Sequence, residues 1–274
     1  MKTIKKYVHL LASTDKETIN KIKDFESKGL FNEHLDTNPA PYIPVDEKYQ
    51  YLPKNIFKKL DLALKRTFFV NPLMRYTNKL FQTIVVGQEN LKNIKSAITV
   101  SNHVNKLDCM VIQHALKPHK AYFTAAEFNN MTGFIGDMMR AGRMLPMSSS
   151  YGGQKNFLIA IEKLLKKKTY VNFFPERSEW WGYEKPRPQN SGAYHIAIKN
   201  NVPVIPIFIT FNQTEESKKS CTGIKQFVVN ILKPIYPNKN LSFKENLEQM
   251  MLNCKIQWEK TYENFYKKKK EVVI

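Results

Sequence analysis

The sequence has few cysteines, and their spacing fits no known cysteine framework. Only three of its 274 residues are cysteine, Cys109, Cys221 and Cys254, and no two of them form a C-x-x-C pair. An odd number of widely spaced cysteines argues against both a disulfide framework and a zinc site. The pattern is typical of a protein kept in a reducing cytoplasm.

The chain also lacks a long hydrophobic run. No window reaches the roughly 18 uninterrupted apolar residues that suggest a membrane-spanning helix. The basic start at Met1–Lys6 leads into an apolar stretch that polar residues interrupt from Ser13 onward, too early for a signal peptide. We therefore expect a cytoplasmic protein that meets a membrane only peripherally, from its inner face.

Acidic residues are scarce relative to basic ones. The chain has 24 Asp and Glu against 43 Lys and Arg, giving a formal net charge of +19. Such a balance indicates an anionic partner: a phospholipid surface, a phosphorylated cofactor or nucleic acid. Charge alone does not choose among them. The 42% hydrophobic content argues against disorder along the whole chain and allows one large α/β domain or two small ones.

Two basic amphipathic helices are predicted before the main domain, over 56–69 and 74–81. Apolar positions in the first alternate with lysine and arginine at helical spacing. This pattern suits the interface of an anionic membrane, but it suits packing on the protein's own core equally well. We therefore divide the chain into an N-terminal helical lead, residues 1–83, which is a possible membrane-interface element, and a main domain, residues 84–274.

The most informative stretch is Asn102–Asp108. A histidine and an aspartate, His103 and Asp108, with four residues between them, follow a predicted buried strand at 97–100 and precede a predicted helix at 109–116. Such a corner can present a general base and its orienting acid. A structural alternative stays open, in which Asn105 caps the helix and Asp108 is an acidic residue in its first turn.

Two further blocks follow in order: Phe174-Pro175-Glu176 after one apolar run, and Val202-Pro203-Val204-Ile205-Pro206 at the start of another. Together with the His103 and Asp108 block, they resemble the glycerolipid acyltransferase family, whose bacterial members acylate lysophosphatidic acid. The resemblance covers roughly residues 86–243. It implies that His103 is the base, that Asp108 orients it, and that Glu176 binds the acceptor.

The resemblance also implies an acyl donor, either acyl-CoA or acyl carrier protein, and a lipid acceptor, with no metal and no cofactor. The expected reaction is acyl transfer from a thioester to a hydroxyl of a lysophospholipid, with 1-acylglycerol-3-phosphate as the first acceptor. The expected fold class is α/β, with a mixed, mostly parallel central sheet flanked by helices.

The sequence departs from the family pattern at both arginines that grip the acceptor phosphate. Ser148 stands at the first position and Glu179 at the second. These departures favour an alternative acceptor, a different lysolipid or a glycolipid. The candidate replacements for headgroup binding are Arg143 near the first position and Arg177, Lys185 and Arg187 around the second.

Two other functional classes are considered. His103 and Asp108 could be metal ligands in a hydrolase, although no further ligands cluster at suitable spacing. The positive charge could serve a non-enzymatic nucleic-acid-binding protein, but no nucleic-acid motif accompanies it, so no nucleic-acid partner is expected. His195 lies in a helical pattern and is interpreted as a packing or capping residue.

Overall fold

The computed structural model describes residues 2–35, 40–220 and 222–271. Cys221 lies outside them. The α-helices are α1 (Lys2–Ala12), α2 (Lys16–Ser27), α3 (Ile56–Lys65), α4 (Asn71–Leu80), α5 (Asp108–Ala115), α6 (Gly133–Ala141), α7 (Tyr151–Lys166), α8 (Gly192–Asn200), α9 (Glu215–Lys219) and α10 (Phe243–Glu271). The strands are β1 (Ile84–Val86), β2 (Ala97–Ser101), β3 (Ala121–Ala125), β4 (Met144–Pro146), β5 (Tyr170–Phe173), β6 (Val204–Asn212) and β7 (Gln226–Ile231).

The strands form one seven-stranded sheet in the order β1-β7-β6-β2-β5-β3-β4. Five neighbouring strands, from β6 to β4, run parallel. The pair β6 and β7 is antiparallel, and β1 is parallel to β7. The sheet is therefore mixed and mostly parallel, as the sequence predicted. β2 lies at its centre between β5 and β6, and all five of its residues are buried, as expected for a strand covered on both faces.

Helices cover the sheet on both faces and create two hydrophobic clusters. One contains buried residues of α5 together with Val8, Phe81 and Phe227. The other joins α7, α8 and α10 to the opposite face, with Trp258 fully buried. Side-chain caps fix where two of these helices begin: Ser150 accepts from the Gly153 N–H at the start of α7, and Ser242 accepts from the Glu245 N–H at the start of α10.

The N-terminal helices join this core. Val8 of α1 is 1% exposed, and Phe81 stacks on Phe227 of β7 with 4.0 Å between ring centroids. Residues before 84 and after it therefore share one hydrophobic cluster. A π-helical turn, Arg66–Val70, connects α3 directly to α4, where the sequence predicted two helices. Among the described helices, none has the length and apolarity needed to cross a membrane.

Three helices differ from the sequence prediction. No pattern in the sequence predicts α1. The apolar pattern from Asn156 to Lys168 predicts a helix that starts at 156, whereas α7 begins at Tyr151, five residues earlier. The polar composition of residues 212–223 predicts a loop, whereas these residues contain α9. Thr214 caps α9 by a capping box with Ser217, although Ser217 is not the Glu or Gln usual at that position.

Candidate active site

The site begins where β2 ends. The side chain of Asn102 donates a hydrogen bond to the carbonyl oxygen of Ile209 (3.0 Å) and accepts one from the Ile209 N–H (2.8 Å). The fully buried amide therefore attaches the corner to β6 in the way a peptide group would. This contact fixes His103 at the carboxyl end of the central strand, where open α/β sheets place their ligand sites.

Asp108 holds the His103 ring. His103 Nδ1 lies 2.9 Å from Asp108 Oδ2, and the same oxygen accepts the N–H groups of Val104 (2.7 Å) and Asn105 (3.0 Å). Asn105 Oδ1 accepts the N–H of Leu107 (3.0 Å). The structural alternative is therefore correct for Asp108, which lies in the first turn of α5, and wrong for Asn105, because Leu107 is the N-cap and no side chain caps the helix. Asp108 also orients the imidazole.

The surroundings of His103 set its charge and tautomer. Burial lowers its pKa from the ordinary value of 6.5, so the ring is neutral at neutral pH. Burial raises the pKa of Asp108, and the backbone donors from Val104 and Asn105 oppose that rise. Asp108 Oδ2 already accepts two N–H groups, so it acts as an acceptor toward Nδ1 as well. The proton of the neutral ring therefore belongs on Nδ1, and Nε2 keeps a lone pair free to accept a proton.

Two further side chains, Phe174 and Cys109, lie next to His103. The His103 ring stacks on Phe174, with 3.9 Å between centroids and 18° between planes. Burial raises the pKa of the adjacent Cys109 to about 12, so this residue remains a thiol and does not supply a thiolate nucleophile.

The loop after β5 holds the His103 corner in place by hydrogen bonds and an ion pair. Glu176 and Arg187 form an ion pair of 2.8 Å, and both side chains are 1% exposed. Glu176 Oε2 also accepts the N–H of His103 (3.1 Å), while Oε1 accepts the N–H of Arg187 (2.9 Å). The carbonyl oxygen of His103 accepts from the Trp180 N–H (3.0 Å) and from Arg187 Nη2 (3.3 Å). The Glu176–Arg187 pair thus fixes the backbone of His103.

The N-terminal part of the chain covers this loop. Trp180 is fully buried, stacks on Phe31, and donates its indole N–H to the carbonyl oxygen of Glu33 (3.0 Å). The carbonyl oxygen of Phe31 accepts hydrogen bonds from Ser178 Oγ (3.0 Å) and Arg187 Nη1 (3.2 Å). Sequence reasoning missed this role of residues 31–33, because a loop that packs across the fold carries no periodic signal.

The predicted acceptor-binding residues do not gather at one place. Glu176 and Arg187 pair with each other in the interior, whereas the sequence had suggested that both contact the acceptor. Arg177 is exposed in the loop and has a left-handed backbone, with φ of 66°. Lys185 is 56% exposed and forms an ion pair with Glu26 of α2. Arg177 and Lys185 are therefore the two of this group that face solvent.

Arg143 lies away from the corner. It precedes β4, and its Nη1 donates to Gln113 Oε1 (3.1 Å), which also accepts the N–H of Ala121 at the start of β3 (3.1 Å). The pKa of Arg143 is lowered to about 10, mainly by burial and further by the positive charge of the neighbouring Arg66. Because β3 and β4 run parallel to β2, these contacts lie toward the amino ends of the strands. The His103 corner lies at the carboxyl ends.

The positions of the two family arginines hold side chains of other chemistry. Ser148 is buried, and its Oγ donates to the carbonyl oxygen of Val45 in the connector before α3. Glu179 reaches His103: its Oε2 lies 3.7 Å from His103 Nε2. The only signal in the sequence for this contact is a glutamate at a position where the family carries an arginine.

Within the described part of the chain, no group of three or more His, Cys, Asp or Glu side chains is arranged to hold a metal ion. His195 lies on α8 and contacts the carbonyl oxygen of Ser191 through Nδ1 at 3.1 Å, an interaction within the helix. This placement agrees with its interpretation as a packing or capping residue.

The domain thus combines a mixed α/β sheet with a buried His–Asp pair at the carboxyl end of its central strand. Residues 82–210 match the model of the family described as Acyltransferase. The match contains the corner, the loop after β5 and most of β6.

Two relatives agree with this assignment. The 1-acyl-sn-glycerol-3-phosphate acyltransferase of Saccharomyces cerevisiae is 28% identical over 155 residues, which are 55% of this chain and 50% of that protein. The chain thus spans about half the length of this curated relative. The crystal structure of the 1-acyl-sn-glycerophosphate acyltransferase of Thermotoga maritima matches with a TM-score of 0.51 and 17% identity, covering 75% of this chain and 88% of the other. This second likeness confirms the fold.

Proposed function

We propose that the protein is an O-acyltransferase that moves a fatty acyl group from an acyl thioester to a hydroxyl of a lysolipid. The observation that carries this proposal is the 2.9 Å contact between His103 Nδ1 and Asp108 Oδ2, which leaves Nε2 as a proton acceptor in a domain of the acyltransferase family. The donor we expect is acyl-CoA or acyl carrier protein.

The proposed reaction is direct transfer. His103 Nε2 takes the proton of the acceptor hydroxyl as its oxygen attacks the thioester carbonyl carbon, and Asp108 stabilises the resulting imidazolium. The tetrahedral intermediate then collapses, the C–S bond breaks, and the imidazolium proton passes to the departing thiolate. No covalent acyl-enzyme is required, which is consistent with the raised pKa of Cys109.

The names of the relatives make 1-acylglycerol-3-phosphate the first acceptor to assay. A second candidate, another lysolipid or a glycolipid, is favoured by Ser148 and Glu179 at the positions of the family's phosphate-binding arginines. Of the candidate headgroup-binding residues, we propose that Arg177 and Lys185 contact the acceptor, because both side chains are exposed. Glu176 and Arg187 act through the backbone of His103.

The test is to incubate the purified protein with labelled acyl-CoA and a panel of lysolipids and to identify the product by mass spectrometry. We expect an ester of the acceptor and an equal amount of free thiol. Absence of any ester, with either acyl-CoA or acyl carrier protein as donor, would contradict the proposal.

We also propose that the protein lies peripherally on the inner face of an anionic membrane. Large apolar side chains of α3, the π-helical turn and α6 are solvent-exposed: Ile56, Phe57, Leu60, Leu64, Phe68, Phe69, Phe134 and Ile135. Lys58 and Lys59 are exposed on the same helix as Phe57. By contrast, Lys65 pairs with Asp61 and Asp137, so it already has acidic partners within the protein. Exposed aromatic and basic side chains on one surface are suited to the headgroup region of a bilayer.

This second proposal is tested by point substitutions, since deletion of the N-terminal helices would remove Phe81 from the core. Phe57→Ser with Phe68→Ser should weaken sedimentation with phosphatidylglycerol vesicles by about tenfold or more, because two exposed aromatic rings that would enter the bilayer are lost. Leu252→Ser, at an exposed apolar residue of α10, is the control and should bind as the wild type does. Equal binding of all three proteins would contradict a membrane role for this surface.

A further inference from the structure

Glu179 faces the atom of His103 that would take the proton. Its Oε2 lies 3.7 Å from Nε2, beyond hydrogen-bonding distance. Its other oxygen, Oε1, is buried and makes no hydrogen bond with any residue that the structure describes. The His103 and Glu179 side chains are 20% and 24% exposed, so both can be reached from solvent. A partly exposed carboxylate therefore lies directly beside Nε2, with Oε2 as its nearer oxygen.

The two facing groups have the same hydrogen-bonding character. With the imidazole proton on Nδ1, His103 Nε2 accepts and cannot donate, and an ionised Glu179 can only accept. A ligand that satisfies both must bring two donors a few ångströms apart. Two hydroxyls on adjacent carbon atoms have this arrangement: one donates to Nε2 and becomes the nucleophile, and the other donates to Glu179.

The charges around Glu179 oppose an acceptor with a phosphate at this place. Asp108 is also close, and the cations that act on Glu179 are His103, when protonated, and Lys106. The Lys106 Nζ lies over the Trp181 ring, 3.9 Å from its centroid. Ser148, at the other arginine position, is directed toward Val45. A phosphate monoester bound here would face a carboxylate where the family supplies guanidinium groups, and like charges in contact cost several kcal/mol.

We propose that Glu179 determines acceptor specificity by accepting a hydrogen bond from a second, uncharged hydroxyl next to the hydroxyl that is acylated. The acceptor class is thus a neutral polyol headgroup carrying one fatty chain. A glycerol and a sugar share this chemistry, so a monoacylglycerol and a single-chain glycolipid are both members. The inference rests on the proposed acyltransferase function and selects the second of its two acceptor candidates.

The experiment measures kcat/KM with acyl-CoA and three acceptors that carry the same fatty chain: a monoacylglycerol, a single-chain glycolipid and 1-acylglycerol-3-phosphate. The proteins are the wild type, Glu179→Gln, Glu179→Arg and a control, Glu184→Gln. Glu184 is a carboxylate of the same loop that pairs with Lys225 and does not contact the base.

We expect the wild type to prefer a neutral acceptor over 1-acylglycerol-3-phosphate by a factor on the order of 10 or more, as like-charge repulsion implies. Glu179→Gln should reduce this preference about tenfold, chiefly by lowering KM for the phosphate acceptor, and Glu179→Arg should reverse it. Glu184→Gln should leave the ratio unchanged. Comparing the two neutral acceptors distinguishes glycerol from sugar.

A wild type that uses 1-acylglycerol-3-phosphate at least as efficiently as both neutral acceptors would overturn the inference while leaving the acyltransferase function intact. An unchanged ratio in a folded Glu179→Gln variant would also overturn it. Transfer to none of the three acceptors would instead contradict the proposed function. Because the wild-type ratio requires no substitution, the inference remains falsifiable even if a variant does not fold.

Discussion

Two strand-to-helix connections meet at the candidate site, and they differ in how closely they follow the family pattern. The corner after β2 carries His103 and Asp108 at the family's spacing, and its side chains form the expected pair at 2.9 Å. The loop after β5 keeps Phe174-Pro175-Glu176 and then departs, with Arg177, Ser178 and Glu179 in place of Gly-Thr-Arg. The first connection therefore keeps the His103–Asp108 pair, and the second changes the side chains that lie next to His103.

The difference separates catalysis from recognition. A base needs one geometry whatever acceptor it activates, whereas the groups beside it must match the acceptor. The buried Glu176–Arg187 pair joins the two connections by bonding to both the N–H and the carbonyl oxygen of His103. The loop could thus change its exposed positions without moving the base.

The largest effect is expected at the first connection. His103→Ala should lower kcat/KM by a factor on the order of 100 to 10,000, the usual contribution of a positioned general base. His195→Ala is the control, since that ring lies on α8 and contacts only its own helix and Phe243 among the interactions described. Equal loss in both variants, or wild-type activity in His103→Ala, would contradict the assignment of the base.

At the second connection the main cost should be in stability. Arg187→Met leaves the Glu176 carboxylate buried and unpaired, so the free energy of unfolding should fall by about 3–5 kcal/mol. Urea denaturation measures it. Lys185→Met breaks an ion pair of the same loop at the surface and should cost about 1 kcal/mol or less. Similar losses in the two variants would show that the interior pair does not anchor the loop.

The two connections should also be linked through pH. Burial keeps the pKa of His103 below 6.5 in the folded protein, so kcat/KM should be full above that pH and fall as the pH drops through the folded value. The unfolded chain takes up the proton more readily, so the free energy of unfolding should decrease as the pH falls from 6.5 to the folded value, and no further below it. The Glu179 charge raises the His103 pKa, and Glu179→Gln should therefore move the acidic limb to lower pH. An unmoved limb would argue that the two groups do not interact.

The smallest effect concerns the backbone of the second connection. Arg177 has φ of 66°, a conformation that costs an arginine more than a glycine. Arg177→Gly should therefore increase the free energy of unfolding by up to about 1 kcal/mol. Lys120→Gly, at an exposed residue outside the positive-φ positions, should instead destabilise slightly. Destabilisation of both would indicate that Arg177 makes compensating contacts.

The sequence predicts much of the fold because most strands and helices carry strong apolar patterns. The apolar run from Val202 to Phe211 predicts a strand, and β6 begins at Val204. The capping pattern at Ser242 and the apolar stripe after it predict a long helix, and α10 begins at Phe243. The helix α1 was missed because its short apolar stretch ends at Ser13, and α9 because five residues are too few for a periodic signal.

Local sequence patterns likewise predict one part of the site and not the other. His103 and Asp108 are close in sequence, so their spacing predicts their contact. Glu179 is far from His103 along the chain, and its approach to Nε2 depends on how the loop is held by Arg187, Trp180 and the N-terminal residue Phe31. Tertiary contacts of this kind leave no local pattern. Glu176 and Arg187 were therefore expected to contact the acceptor, whereas in the structure they pair with each other in the interior.

The protonation state of His103 is the most direct test of the base. ¹⁵N NMR of the imidazole, assigned by comparison with His103→Gln, reports which ring nitrogen carries the proton. At pH 7 we predict a neutral ring with its proton on Nδ1 and an unprotonated Nε2. A ring protonated on Nε2, or an imidazolium at that pH, would contradict the mechanism.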